Sequence, residues 1–225
     1  MKKKVSLDPN VRVINYLVLA QSDYVTGRHL LRAGFLEHGA MLAATAAEKY
    51  LKAVIGIHGL DNTDHLSGTL YKLVGRCQPE LFSAVDKDFL KFLEKAFKLR
   101  YASASAPGFA IVINQYRTLF AIDKFVADVD RGFSVTSSNG VSEVTPYRAS
   151  LKKADPLVVE DNIAVDPTLF MDILLRHNKV LDLKVENDYR TVSVLYETEG
   201  VNMAGSFTKI PEVSLNKSSF LLSRG

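Results

Sequence analysis

Cysteine is almost absent from this 225-residue sequence, where Cys77 stands alone. A lone thiol makes no internal disulfide, which fits a reducing compartment, and it serves more often as a small buried hydrophobe than as a nucleophile. Long apolar runs are missing as well. None approaches the roughly 20 residues of a spanning helix, so no membrane insertion is expected. Lys2, Lys3 and Lys4 precede an apolar patch from Val13 to Ala20, but Asp8, Pro9, Asn10 and Arg12 lie between them, unlike the order of a secretory signal. A cytoplasmic protein is the expectation.

The motifs of several enzyme classes are also missing. There is no P-loop, no Gly-x-Gly-x-x-Gly, no Gly-x-Ser-x-Gly and no group of histidines at metal-ligand spacing, so neither a cofactor nor a metal is expected. No internal repeat or low-complexity tract is present. Charge of one sign is scarce: the net value of +3 is too small to argue for nucleic acid by itself. Its distribution is uneven. Residues 1–131 carry 18 Lys and Arg against 13 Asp and Glu, and residues 132–225 carry 10 against 12. The first part, at +5, is the natural home of an anionic ligand.

What is present is helical periodicity. Hydrophobic residues make up 47% of the chain, enough to bury a core. Asp8-Pro9 offers an N-cap with proline in the first turn, and Ile14, Leu17, Val18, Gln21, Val25, Arg28 and Leu31 recur at helical spacing up to Gly34. A second helix runs from Phe35 to Gly56 or Gly59. Its many Ala and Gly residues allow close approach, so it belongs at the centre of a bundle. Leu66, Leu70, Leu73 and Val74 predict a third helix, and Pro79 opens a short turn through Phe82. A fourth helix starts near Asp86, with Phe89, Leu90, Leu93, Phe97 and Tyr101 as its buried stripe. A fifth spans about Phe109 to Val129.

After Gly132 the texture changes. Residues 132–156, rich in Ser, Thr, Asn and Pro, read as a linker or extended arm. Residues 157–225 read as a small α+β or extended unit: a short helix after Asp166-Pro167, then a hairpin of Val180–Val185 and Tyr189–Tyr196. A third strand between Gly200 and Gly205 is also expected. The fold class is thus mainly α, a bundle of four to five helices over residues 1–131 followed by this unit.

Three short motifs lie on successive helices: Glu48-Lys49-Tyr50-Leu51-Lys52, then Asp64-His65-Leu66, then Leu99-Arg100-Tyr101. In this order they resemble the HEPN domain, a small all-helical module of prokaryotic nucleotide- and RNA-related proteins, over about residues 21–130. The resemblance implies a helical bundle that pairs as a homodimer, with Lys49, Lys52, His65, Arg100 and Tyr101 as ligand-binding residues. A separate nucleotidyltransferase-like chain is a further implied partner. By spacing alone, Glu48 and Lys52 form an i,i+4 helix pair, and His65 makes a local bond at a helix entrance.

In the ribonuclease members of that family an arginine is followed about four to six residues on by a histidine; the cation stabilises developing charge while the imidazole moves a proton. Here Tyr101, Ala102, Ser103, Ala104, Ser105 and Ala106 follow Arg100, with no histidine. The bare spacing occurs once, as Arg32 with His38, across the junction of the first two helices. Three functions follow from these readings. The leading one is a nucleotide- or RNA-binding, dimerising protein without the ribonuclease motif. The second is a ribonuclease toxin, of the toxin–antitoxin or defence kind, with catalysis displaced to Arg32 and His38. The third is a purely structural interaction module. The first expects Lys49, Lys52, His65 and Arg100 to come together, and their dispersal over separate faces would leave only the third.

Overall fold

A computed structural model of the chain describes residues 9–101, 106–136, 142–203 and 207. Helix α1 (Pro9–Arg32) and helix α2 (Leu36–Ile57) form a long hairpin. The turn is fixed by backbone bonds from Phe35 N–H to the Leu30 carbonyl and from Gly34 N–H to the Leu31 carbonyl. Gly34, at φ +85°, supplies the left-handed residue that this helix ending requires. Close contact follows from small residues: a Cβ on Gly39 would lie 2.9 Å from the Leu31 nitrogen and 3.0 Å from the Gly27 carbonyl. Helix α2 sits at the centre, with Ala40, Ala43, Ala44, Ala46, Ala47, Leu51 and Ile55 all buried.

Helix α3 (Gly68–Cys77) is capped by Ser67, α4 (Pro79–Ala84) begins at its proline, and α5 (Lys87–Lys98) is capped by Asp86. Phe89, Leu90, Phe92, Leu93 and Phe97 of α5 enter the core. The α5 helix stops at Lys98, so Tyr101 leaves the expected stripe and is 47% exposed.

The expected fifth helix divides in two. Ala110–Asn114 is a strand, β1, and the helix α6 starts only at Gln115 and runs to Arg131. The alternation of Ile111 and Ile113, both buried, is the pattern of a strand, and Asn114 caps α6 by accepting from the Arg117 N–H.

The segment read as a linker or arm carries ordered elements. A two-residue pairing joins β2 (Val135–Thr136) to β3 (Ser142–Glu143), and α7 (Pro146–Lys152) and α8 (Pro156–Val159) follow. Thr145 and Asp155 cap these helices, each ahead of a proline in the first turn, whereas the expected cap at Asp166-Pro167 does not form: the next helix begins only at Leu169, with Thr168 at its N-cap and no side-chain capping bond. Tyr147 and Val158 belong to the same core as the bundle.

Helix α9 (Leu169–Leu174) leads to β4 (Asn178–Val185) and β5 (Thr191–Thr198), the expected hairpin. The sheet order is β1-β4-β5, antiparallel throughout, with Ile111 opposite Leu183 and Val180 opposite Tyr196. The hairpin thus completes a sheet begun within the helical part. Residues 201–203 form no strand, and residues 204–206 and Phe220-Leu221-Leu222 lie outside the described residues.

A buried polar network ties the later segment to the bundle. Arg28 of α1 and Asp123 of α6 are both fully buried and paired. The Arg28 guanidinium also donates to the carbonyls of Leu157 and Glu160, and Asn162 donates to Tyr24 Oη, which in turn donates to Asp123.

Candidate functional site

Glu48 and Lys52 lie one turn apart on α2, each less than 10% exposed, with Nζ 2.7 Å from Oε1. His65 comes from the loop before α3. Leu66 next to it is buried and Ser67 caps the helix, and together they fix the loop against α2. The His65 Nδ1 stands 3.3 Å and 3.4 Å from the two Glu48 carboxylate oxygens. With its proton on Nδ1 the imidazole donates to this carboxylate.

The second half of the cluster comes from the end of α5. Phe97 is buried, and its ring meets the His65 ring at 4.6 Å between centroids, the Tyr101 ring at 5.9 Å and the Arg100 guanidinium at 3.9 Å. The chain turns back on itself here, with Tyr101 N–H bonded to the Lys98 carbonyl, which brings Arg100 over the ring of Phe97. Arg100 also donates to Thr45 Oγ1 of α2 at 2.8 Å. Arg100 and Tyr101 therefore do not close the helix, as the sequence led one to expect, but occupy the turn after it.

Lys52, His65, Arg100 and Tyr101 thus meet around Glu48 and Phe97, and the charges within the group are unequal. Lys52 is spent on Glu48, while Arg100 and Tyr101 are exposed and the His65 side chain is 60% exposed. An exposed guanidinium beside an exposed aromatic ring can hold a phosphate and stack a base at the same time.

Lys49 is not in this group. It points to α1, where its Nζ is 2.6 Å from Asp23. Arg32, half of the displaced ribonuclease pair, is held by Glu160 at 2.7 Å and Asp161 at 3.1 Å, and Asp161 also binds Arg176 at 2.8 Å. His38 is exposed on the first turn of α2.

Sequence reasoning passed over Phe97 and Thr45 as site residues. The spacing of Phe97, Arg100 and Tyr101 contains a readable signal, since residues three and four apart on a helix or its last turn are neighbours. Nothing local marks Thr45. A separate cleft of about 300 Å³, walled by Phe89, Phe120, Phe125 and Phe207 with Arg117 and Lys124 beside them, holds none of the cluster's residues. Among the described residues, no group of three His, Cys, Asp or Glu side chains is placed to hold a metal, and no helix is long and apolar enough to cross a membrane.

Compared with models of known protein families, with curated proteins and with solved structures, the chain matches none.

Proposed function

We propose that this is a HEPN-like protein that binds nucleotide or RNA and pairs as a homodimer, without the metal-independent ribonuclease chemistry of the catalytic members. The observation that carries the reading is the meeting of His65, Arg100 and Tyr101 on Phe97, from a loop and a helix end separated in sequence. Arg100 supplies a cation to a phosphate, Tyr101 a stacking face to a base, and His65 a hydrogen-bonding edge. The Glu48–Lys52 pair sets the position of His65 and contributes little net charge.

Binding rather than cleavage is favoured because the stretch after Arg100 offers no histidine and Arg32 is committed to Glu160 and Asp161. The test is fluorescence anisotropy with a labelled single-stranded oligoribonucleotide and a labelled mononucleotide. Loss of one stacked base on Tyr101→Ala should cost roughly 1–3 kcal/mol of affinity. Equal affinity in wild type and variant would remove Tyr101 from the site.

A further inference from the structure

Strand β5 is an edge strand. Among the described residues no strand pairs with its outer side. Its eight residues, Thr191–Thr198, pair with β4 in unbroken register, so no bulge twists the edge away. They include no Lys, Arg or Pro, and Glu197 is the one charge. Natural edges are ordinarily blunted by one of these devices. Among the described residues Glu197 is the one such device on β5, and Leu195 lies 51% exposed along the edge.

The strand is complementary to itself. Opposed residues share a face of the sheet, so Val192, Val194 and Tyr196 lie on one side with Val112 and Val180 and with Asp182 and Lys184, and Leu195 lies on the other with Ile113 and Leu181. Antiparallel pairing of two copies about a two-fold axis at Val194 sets Val194 against its copy and Val192 against Tyr196 twice. Pairs of aromatic and β-branched residues are among the favourable cross-strand contacts. The same register places Glu197 opposite Thr191, whereas parallel pairing would align Glu197 with Glu197.

A further apolar patch adjoins the end of β5. The Leu174 carbonyl accepts the Val201 N–H, which brings the end of α9 to the chain leaving β5, and Leu175 and Met171 there are 78% and 62% exposed.

We propose that a second copy of this chain docks on the β5 edge, in antiparallel register centred on Val194, joining two three-stranded sheets into one of six strands. The occupant is a second copy because the strand's own sequence supplies the matching face, and a closed two-fold pairing covers the β5 edge of both copies. The inference shares with the proposed function the expectation of a homodimer. It does not depend on a ligand: loss of RNA binding leaves it standing, and loss of the dimer leaves the Arg100 cluster standing.

The test is a double variant, Thr191→Cys with Glu197→Cys, in a Cys77→Ser background. Both positions are exposed, so the fold should tolerate the change. Within one chain they are six residues apart, about 20 Å in a strand, too far for an internal disulfide. Mild oxidation should give a covalent dimer of twice 24.9 kDa from the double variant and not from either single cysteine variant. Light scattering should show Leu195→Lys shifted to monomer and Val18→Lys, on the exposed face of α1, still dimeric. A monomer at every concentration, no covalent dimer from the double variant, or a dimer lost in Val18→Lys but kept in Leu195→Lys would each overturn the proposal.

Discussion

Arg28 donates through Nε to both carboxylate oxygens of Asp123, at 2.9 Å and 3.1 Å, and neither side chain reaches solvent. The pair joins α1 to α6, and through the Leu157 and Glu160 carbonyls it fastens the residues around α8 to both. Removing one partner leaves the other charge buried and unpaired. Arg28→Ala should therefore cost about 3–5 kcal/mol of unfolding free energy, measured by denaturant titration. A loss under about 1 kcal/mol, the worth of an exposed pair, would contradict the burial of the network.

The pH dependence of this pair runs opposite to ordinary acid unfolding. Burial pushes the Asp123 carboxyl up to about 6, against the downward pull of Arg28 and of the hydrogen bonds from Arg28 and Tyr24. Burial also works against the Arg28 charge, and Asp123, Tyr24 and Asp161 together more than offset it, so Arg28 stays cationic. Between the ordinary carboxyl value of 3.8 and about 6 the folded state binds the Asp123 proton and the unfolded state does not. Stability from this group is therefore fully present below that window, falls as pH rises through it, and is flat above it. Compared with Asp123→Asn, wild type should gain stability as pH is lowered from 7 to about 4. A relative loss over that range would mean that Arg28 holds the carboxyl down after all.

Two glycines should respond in opposite directions. At Gly39 an added methyl would press on the Leu31 backbone and side chain, so Gly39→Ala should destabilise by about 1–3 kcal/mol. At Gly68, in the first turn of α3, nothing lies within 4 Å of an added Cβ. Gly68→Ala should raise stability by up to about 1 kcal/mol by restricting the unfolded chain. Paired thermal melts check both, and destabilisation at Gly68 or tolerance at Gly39 would contradict the packing.

Helices with broad apolar stripes were legible in the sequence because the signal is local. The α1–α2 hairpin ends where Gly34 and the Ala-rich face indicate, and the β4–β5 hairpin falls close to the expected runs. The strand β1 was hidden because its identity depends on β4, some 70 residues later, while Ile113 also fits the helical stripe that continues into α6. Arg28 fits the buried face of α1 by spacing, but its partners come from α6 and from main-chain carbonyls at 157 and 160, which no local pattern announces. Of the candidate site, the Glu48–Lys52 pair was readable as a helix pair. The meeting of His65 with Arg100 was not, since it depends on where a loop packs.

Purified protein should not cleave structured or unstructured RNA in the presence of a chelator. Arg100 lacks a following histidine, and Arg32 is engaged by two carboxylates. Chelator-resistant cleavage lost in both His65→Ala and Arg100→Ala would turn the cluster from a binding site into a catalytic one, with His65 as the base. Cleavage lost instead in Arg32→Ala and His38→Ala would place the chemistry at the α1–α2 junction.

The salt dependence of RNA binding bears most directly on the proposed site. Each phosphate contact by Lys or Arg to a single strand contributes about 0.7 to the slope of log affinity against log salt, through counterion release. Titration of a labelled single-stranded oligoribonucleotide at several salt concentrations should give an Arg100→Gln variant with weaker binding and a slope smaller by about that amount. Lys49→Ala should match wild type, because Lys49 is paired with Asp23 on α1. An unchanged affinity and slope in a folded Arg100→Gln variant, or no binding by the wild-type protein, would contradict the account.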